Sequence, residues 1–251
     1  MNKLMVLIPA YNEGGAVASV VEEVRAAVPD AAILVVDDCS EDNTIGEARR
    51  SGASVLPLPH HLGLGGCVQA GYRLAFELDF DYVIRVDGDG QHDPSDIPAI
   101  LAALQQEGCE MVIGSRFLNP SSSPSGSRKN STLQSGWLRA AGIALFRSIL
   151  RPILGRPVND PTSGFVGVNR TALHLFSRAF PLEYPEIEAL VVLQRRRFRF
   201  VEIPCQIRKR RSGKSSISAI KAFYFPVHVL LGVFVNVLLF PGSRVWRIER
   251  R

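Results

Sequence analysis

Hydrophobic and polar positions alternate in blocks along the first 115 residues. Short runs rich in Val, Ile and Leu lie at 4–8, 32–36, 54–58, 82–86 and 110–114 and read as buried strands. Stretches near 15–28, 42–51, 64–78 and 95–107 fill the intervals with apolar residues at helical spacing. Strand–helix alternation with short connections predicts an α/β fold, a mostly parallel central sheet flanked by helices. In such sheets ligands bind beyond the carboxyl ends of the strands.

Beyond residue 115 the pattern changes. Residues 116–135 are rich in Ser, Pro and Gly and predict a long loop of the kind that closes over substrates. Residues 137–154 predict a helix with Arg139, Arg147 and Arg151 at multiples of four, suited to a membrane surface or to solvent alike. A strand follows at 165–169, a helix at 186–196 and a strand at 200–207. Residues 222–240 hold no charged residue over 19 positions, long enough to cross a bilayer, although Pro226, His228 and Asn236 weaken the run. This predicts a C-terminal hydrophobic helix that spans the membrane, lies in its plane or meets a second copy of the chain in a homo-oligomer. The expected division is 1–115 and 116–216 as two halves of one domain, with 217–251 as a membrane-associating helix and basic tail.

Composition adds one decisive feature. At 251 residues, 46% apolar and 21% charged, the chain is a folded protein with ample core. Residues 1–115 carry 6 Lys and Arg against 18 Asp and Glu, and residues 116–251 carry 23 against 6, so −12 faces +17 within a net charge of +5. The front half suits a cation and the back half suits anions such as phosphates or acidic head groups. No zinc finger or aromatic-basic RNA motif is present, so nucleic acid is not expected as a partner. Cys39, Cys67, Cys109 and Cys205 are widely spaced without a CxxC pair, which predicts reduced thiols in a cytosolic setting. The chain opens directly on a strand-like run, without a basic flank or cleavage site, so the domain is expected on the cytoplasmic face of a membrane.

The chemistry concentrates at predicted strand ends: Pro9-Ala-Tyr-Asn-Glu13, Asp37-Asp-Cys-Ser40 and Asp87-Gly-Asp-Gly-Gln91. In the third, glycines turn the backbone sharply and leave Asp87 and Asp89 side by side. Two close carboxylates repel unless a cation lies between them, so a hard ion such as Mg²⁺ or Mn²⁺ is the natural third party, with Gln91 as a neutral oxygen ligand. Asp-Gly pairs are also common turn formers. A calcium loop is excluded, because Gln91, His92 and Pro98 stand at its fifth, sixth and twelfth positions. Tyr11 offers a ring for stacking on a base, while Glu13 and Asp38 can accept hydrogen bonds from a ribose or a base. Taken singly, Asn12-Glu13-Gly14 and Ser40 with Asp42 read first as caps of the first and second helices. Gly63-Leu-Gly-Gly66 lacks the third glycine of a dinucleotide fingerprint, and Gly213-Lys-Ser215 lacks the first glycine of a P-loop. The run Arg208-Lys-Arg-Arg-Ser-Gly-Lys-Ser215 suits a diphosphate or a lipid phosphate.

As a set, Val6-Leu-Ile-Pro-Ala-Tyr-Asn-Glu13, Val35-Val-Asp-Asp-Cys-Ser40, Asp87-Gly-Asp-Gly-Gln-His-Asp-Pro94, Gly114-Ser-Arg-Phe117 and Asp160-Pro-Thr-Ser-Gly-Phe165 resemble the family-2 glycosyltransferases of GT-A fold. The nearest branch is that of dolichyl-phosphate mannose synthase and its bacterial polyprenyl-phosphate and O-antigen relatives. The resemblance implies a nucleotide-diphosphate sugar donor, contacted by Pro9, Tyr11, Glu13, Asp37, Asp38 and Asp87. It implies a divalent cation on Asp87, Asp89 and Gln91, and a lipid-phosphate or glycan acceptor. Arg116, Arg210, Lys214 and Ser215 would approach the diphosphate or the acceptor phosphate, and Asp160 would face the acceptor; Arg128, from the 116–135 loop, is a further phosphate or acceptor candidate on its charge and place in that loop. A hydroxyl acceptor needs a base, for which Asp160 is the candidate; a lipid phosphate is already anionic and leaves Asp160 to position other groups. A nucleotide-sugar-binding scaffold without transfer and a sugar-phosphate nucleotidyltransferase are the alternatives.

Overall fold

The computed structural model describes residues 2–106, 108–118 and 151–208. Seven strands form one sheet among them: β1 Leu4–Ala10, β2 Ala32–Asp37, β3 Ser54–Pro57, β4 Tyr82–Arg85, β5 Met111–Ser115, β6 Val166–Asn169 and β7 Phe200–Pro204. Their order is β3-β2-β1-β4-β6-β5-β7. β6 runs antiparallel to β4 and β5, and the other pairings are parallel. The expected mostly parallel sheet is present.

Helices cover both faces: α1 Val17–Ala27, α2 Thr44–Arg50, α3 Gly63–Glu77, α4 Ile97–Gln106, α5 Arg170–Phe176 and α6 Pro185–Arg195. The period-two alternation of β1 sorts its side chains between two cores. Met5 and Leu7 pack with Val68 and Tyr72 of α3, Phe176 of α5 and Leu190 of α6. Val6 and Ile8 pack with Val17 and Val21 of α1 and Ile100 of α4. Burial on both faces is why this strand reads as an unbroken apolar run. At Gly71, on the face of α3 that meets the sheet, a Cβ would lie 2.4 Å from Leu7 Cδ1.

Three expectations change. α5 was not anticipated; it begins at Asn169, whose side-chain oxygen accepts from the N–H groups of Thr171 and Ala172, a standard N-cap. The last strand stops at Pro204, not residue 207, because residues 205–208 turn back over the 91–96 loop: the Gln206 N–H donates to Asp96 at 2.7 Å and Ile207 bridges His92. Of the helix expected at 137–154, residues 151–154 are helical and the rest lies outside the described residues. Residues 119–150 and 209–251 lie outside them too, so the predicted 222–240 helix, the 217–251 segment and most of the 116–135 loop are not described. No helix among the described residues is long and apolar enough to cross a membrane.

Candidate active site at the strand ends

The carboxyl ends of β1 and β2 are joined by polar side chains from both loops. The Asn12 N–H donates to Ser40 Oγ at 2.9 Å, Glu41 N–H to Asn12 Oδ1 at 2.8 Å, Glu13 N–H to Thr44 Oγ1 at 2.9 Å and Gly14 N–H to Asp42 Oδ2 at 2.9 Å. Neither α1 nor α2 is capped by the side chain of its own N-cap residue. Asn12 and Ser40, which read as cap residues in sequence, therefore tie two loops together instead, while Asp42 does both, its Oδ1 accepting the Thr44 N–H at the start of α2 at 2.9 Å. Hydrogen bonds from Gly14 and Thr44 outweigh burial at Asp42 and hold its carboxyl below the usual range, although burial is the largest single influence and acts the other way. Asn12 and Cys39 sit at φ 55° and 63°, in the left-handed region.

Tyr11 is 43% exposed at this edge and packs on His61, ring centroids 4.4 Å apart. Asp38 is buried; its Oδ1 accepts the Leu62 N–H at 2.7 Å and its Oδ2 lies 3.1 Å from His61 Nδ1. Asp37 is also buried: its Oδ2 accepts from Ser40 N–H, while Oδ1 has no hydrogen-bond partner among the described residues. Pro9 lies inside β1, paired in register with Val36.

The Asp87-Gly-Asp-Gly turn packs against that edge. A Cβ on Gly88 would stand 3.2 Å from the Pro9 carbonyl oxygen, so the turn lies directly on the end of β1. Asp89 is buried, with Oδ1 accepting the Gln91 N–H at 2.9 Å. The Gln91 carbonyl accepts the Arg208 N–H at 2.8 Å, and the Arg208 guanidinium pairs with Asp93 at 2.7 Å and with Glu23. The Asp87 N–H donates to Nδ1 of His92, whose ring stacks on Phe165 with centroids 5.0 Å apart. Burial pushes His92 down, and Nδ1 can accept only in the neutral ring.

Among the described residues no group of three or more His, Cys, Asp or Glu is arranged to hold a metal ion. Asp87 and Asp89 provide two hard carboxylates on one turn. That donor set fits a Mg²⁺ or Mn²⁺ ion completed by substrate phosphates and water, not an all-protein cage.

Asp160 is fully buried, and its carboxylate grips Arg116. Arg116 Nε donates to Oδ2 at 2.6 Å, a terminal nitrogen to Oδ1 at 2.5 Å, and the Arg116 N–H to Oδ2 at 3.0 Å. Arg116 also donates to Thr162 Oγ1 at 2.8 Å, and Glu202 accepts the Asp160 N–H at 2.7 Å. Both oxygens expected to serve a base are thus engaged by one guanidinium. Arg128, Arg210, Lys214 and Ser215 lie outside the described residues.

A pocket of about 610 Å³ opens between the start of α3, the end of β4, the 162–164 loop and the segment leading into α6. Asp87 lines it with Arg85, Thr162, Tyr184 and Glu186. Arg85 and Glu186 were not anticipated as site residues. Arg85 is fully buried, donates to the Gly164 carbonyl at 2.7 Å and to Glu186 Oε1 at 2.6 Å, and lies 3.6 Å from Asp87. Burial alone would weaken its hold on the proton, but the Glu186 and Asp87 carboxylates more than reverse that and raise its pKa. A cue existed in the sequence: Arg85 is the one charged residue of an apolar strand run and stands two positions before Asp87, on the same side of the chain. His61, beside Asp38 and Tyr11, carried no such cue.

The profile described as Glycosyl transferase family 2 matches residues 5–176. The undecaprenyl-phosphate mannosyltransferase of Micrococcus luteus is 31% identical over 229 residues, which cover 86% of this chain and 88% of that protein. The UDP-N-acetylglucosamine–dolichyl-phosphate N-acetylglucosaminyltransferase of Methanococcus voltae is 28% identical over 220 residues, 80% of this chain and 84% of that one. Among solved structures, glucosyl-3-phosphoglycerate synthase from Mycobacterium tuberculosis in complex with Mn²⁺, UDP and glucosyl-3-phosphoglycerate matches with a TM-score of 0.68 at 21% identity, covering 94% of this chain and 79% of that chain. The same enzyme in complex with Mg²⁺ and UDP matches with a TM-score of 0.69. At that identity the likeness speaks for the fold.

Proposed function

The chain belongs to glycosyl transferase family 2 and is a glycosyltransferase, and we propose that it moves a sugar from a nucleoside-diphosphate donor to a membrane-linked lipid phosphate with the help of a divalent cation. The observation that carries this reading is the convergence of Tyr11, Asp38 and the Asp87–Asp89 turn at neighbouring strand ends, with Gly88 packed on Pro9. A nucleoside stacked on Tyr11 would hand its diphosphate to the turn. When bound there by Asp87 and Asp89, Mg²⁺ or Mn²⁺ would offset the charge that builds on the departing nucleotide. The displacement would be direct, with inversion at the anomeric carbon.

The chain's own groups then take distinct tasks. Arg208, the first residue of the basic run 208–215 and its one described member, donates its backbone N–H to the Gln91 carbonyl beside the acidic turn. That supports Arg210, Lys214 and Ser215 as groups for the diphosphate or the acceptor phosphate. Asp160 positions Arg116 instead of removing a proton, a role that suits an acceptor which is already anionic. Polyprenyl- and dolichyl-phosphate in the names of two relatives support the lipid-phosphate acceptor over a glycan hydroxyl, and with it work at the cytoplasmic face of a membrane.

Thermal-shift screening of UDP-, GDP- and dTDP-sugars with and without Mn²⁺ tests the donor, because ligand binding stabilises the native state by mass action. Turnover is then measured with polyprenyl phosphate in vesicles. Stabilisation by a nucleotide sugar only with Mn²⁺, and loss of turnover in Asp89→Ala, is the expected result. Unchanged turnover in Asp89→Ala removes the cation from the mechanism.

A further inference from the structure

Arg85 is a buried cation with two carboxylates competing for it, and one of them is a proposed cation ligand. Glu186 Oε1 holds the guanidinium at 2.6 Å, within hydrogen-bonding distance, whereas Asp87 Oδ1 stands at 3.6 Å, outside it. The Arg85 side chain is 2% exposed, Glu186 19% and Asp87 35%, so the guanidinium is almost fully enclosed in the pocket wall while both carboxylates keep part of their surface open to the pocket. The Gly164 carbonyl takes a second N–H of Arg85. Gly164 itself roofs the arrangement, since a Cβ there would lie 2.4 Å from Arg85 and 2.5 Å from Asp87. No third side chain fits between them at that point.

From this geometry we infer that Glu186 is a positioning residue that draws Arg85 away from Asp87 and so keeps the Asp87 carboxylate available to a divalent cation. A buried guanidinium takes the best anion within reach, because it has lost its water. With Glu186 neutral, Asp87 becomes that anion, and the contact at 3.6 Å closes toward a hydrogen bond. Coulomb's law at an effective dielectric of about 20 makes a closure to roughly 2.8 Å worth about tenfold in an equilibrium constant. The cation must compete against that gain. Glu186 lies at the start of α6, in the acceptor-side half of the chain, so the acceptor wall sets the charge available on the donor-side turn.

The inference rests on the reading of Asp87 as a cation ligand, and the experiment separates the two. Binding of Mn²⁺ to the full-length protein is measured by calorimetry and by Mn²⁺ electron paramagnetic resonance, with UDP present, for the wild type, Glu186→Gln and Arg85→Gln/Glu186→Gln. Glutamine keeps the hydrogen bond to Arg85 and removes only the charge. The expected result is about tenfold weaker Mn²⁺ binding in Glu186→Gln, with affinity recovered in the double variant, in which Arg85 no longer competes for Asp87. Equal affinity in Glu186→Gln and wild type overturns the inference. So does a double variant as weak as the single one, since the loss would then be Glu186's own charge. Absence of Mn²⁺ binding in the wild type overturns the cation reading of the turn, and this inference with it. Should the double variant not fold, Arg85→Met/Glu186→Met, which replaces the pair by apolar volume, answers the same question.

Discussion

Asp160→Asn separates a positioning carboxylate from a reacting one. The Asp160 side chain is 0% exposed and Arg116 23%, so the pair is screened little by water. Both oxygens accept from Arg116: Oδ2 takes Nε at 2.6 Å and the backbone N–H at 3.0 Å, and Oδ1 takes a terminal nitrogen at 2.5 Å. An asparagine must turn its NH₂ toward one of these donors, which breaks that contact and takes the Asp160 charge away from a half-buried guanidinium. Removing one partner of a buried ion pair costs about 3–5 kcal/mol, and the partial exposure of Arg116 argues for about 3 kcal/mol here. For a domain of this size that lowers Tm by roughly 6–12 °C. Urea unfolding of wild type, Asp160→Asn, Arg116→Gln and the double variant measures it. The double variant should recover much of the loss, because both charges have gone. Wild-type unfolding of Asp160→Asn combined with a hundredfold or greater fall in turnover would refute the reasoning, since the carboxylate would then be spent on the reaction and not on Arg116.

The remaining expectations need less. His92 is held neutral below its ordinary value of 6.5 by burial, so the unfolded chain binds the extra proton first. Stability from this group is therefore complete above about pH 6.5 and falls as the pH drops below it; urea midpoints at pH 7.5 and 5.5 should differ, and His92→Asn should shrink the difference. Gly71→Ala places a methyl 2.4 Å from Leu7 and 3.1 Å from Val36 in the core under α3, an overpacking that costs about 1–3 kcal/mol in the same assay. Chelation by EDTA should abolish stabilisation by a saturating nucleotide, which at a hundredfold excess over Kd is about 2.7 kcal/mol. Full stabilisation in EDTA would mean that the diphosphate is held by basic groups alone.

Much of the fold was legible because its strands are buried on both faces. β1 and β2 read as unbroken apolar runs since Val6 and Leu7, or Val35 and Val36, must each fill a different core. The strand ends were legible for the same reason, as polar triplets that interrupt such runs. The use of those triplets was not. Asn12, Ser40 and Asp42 have the composition of helix caps, and no local rule tells a cap from a cross-loop tie made to a residue about thirty positions away. α5 is only seven residues long, too short for a periodic signal, although its Asn169 cap was there to be read. Arg85 escaped because its partner Glu186 lies 101 positions further along the chain, in a different layer of the fold.

The two halves of the site are held in different ways, and this bears on how they communicate. The edge proposed for the donor is tied together by the protein itself: two of its residues sit in the left-handed region, Asn12 and Cys39, and the cross-loop hydrogen bonds keep them there. Conformational cost of that kind persists only where the surroundings over-determine it, and it buys a preformed surface. The wall proposed for the acceptor, residues 182–186, meets this edge differently. Leu182 rests on Gly65, where a Cβ would lie 2.4 Å from the Leu182 carbonyl oxygen, and Glu186 reaches Arg85. One contact is steric and sets a distance; the other is electrostatic and sets a charge. On the proposed reading, an acceptor phosphate entering beside Glu186 would add negative charge near Arg85 and compete for it just as Asp87 does. The expected consequence is that acceptor binding strengthens cation binding, and by linkage that the cation strengthens acceptor binding by the same factor.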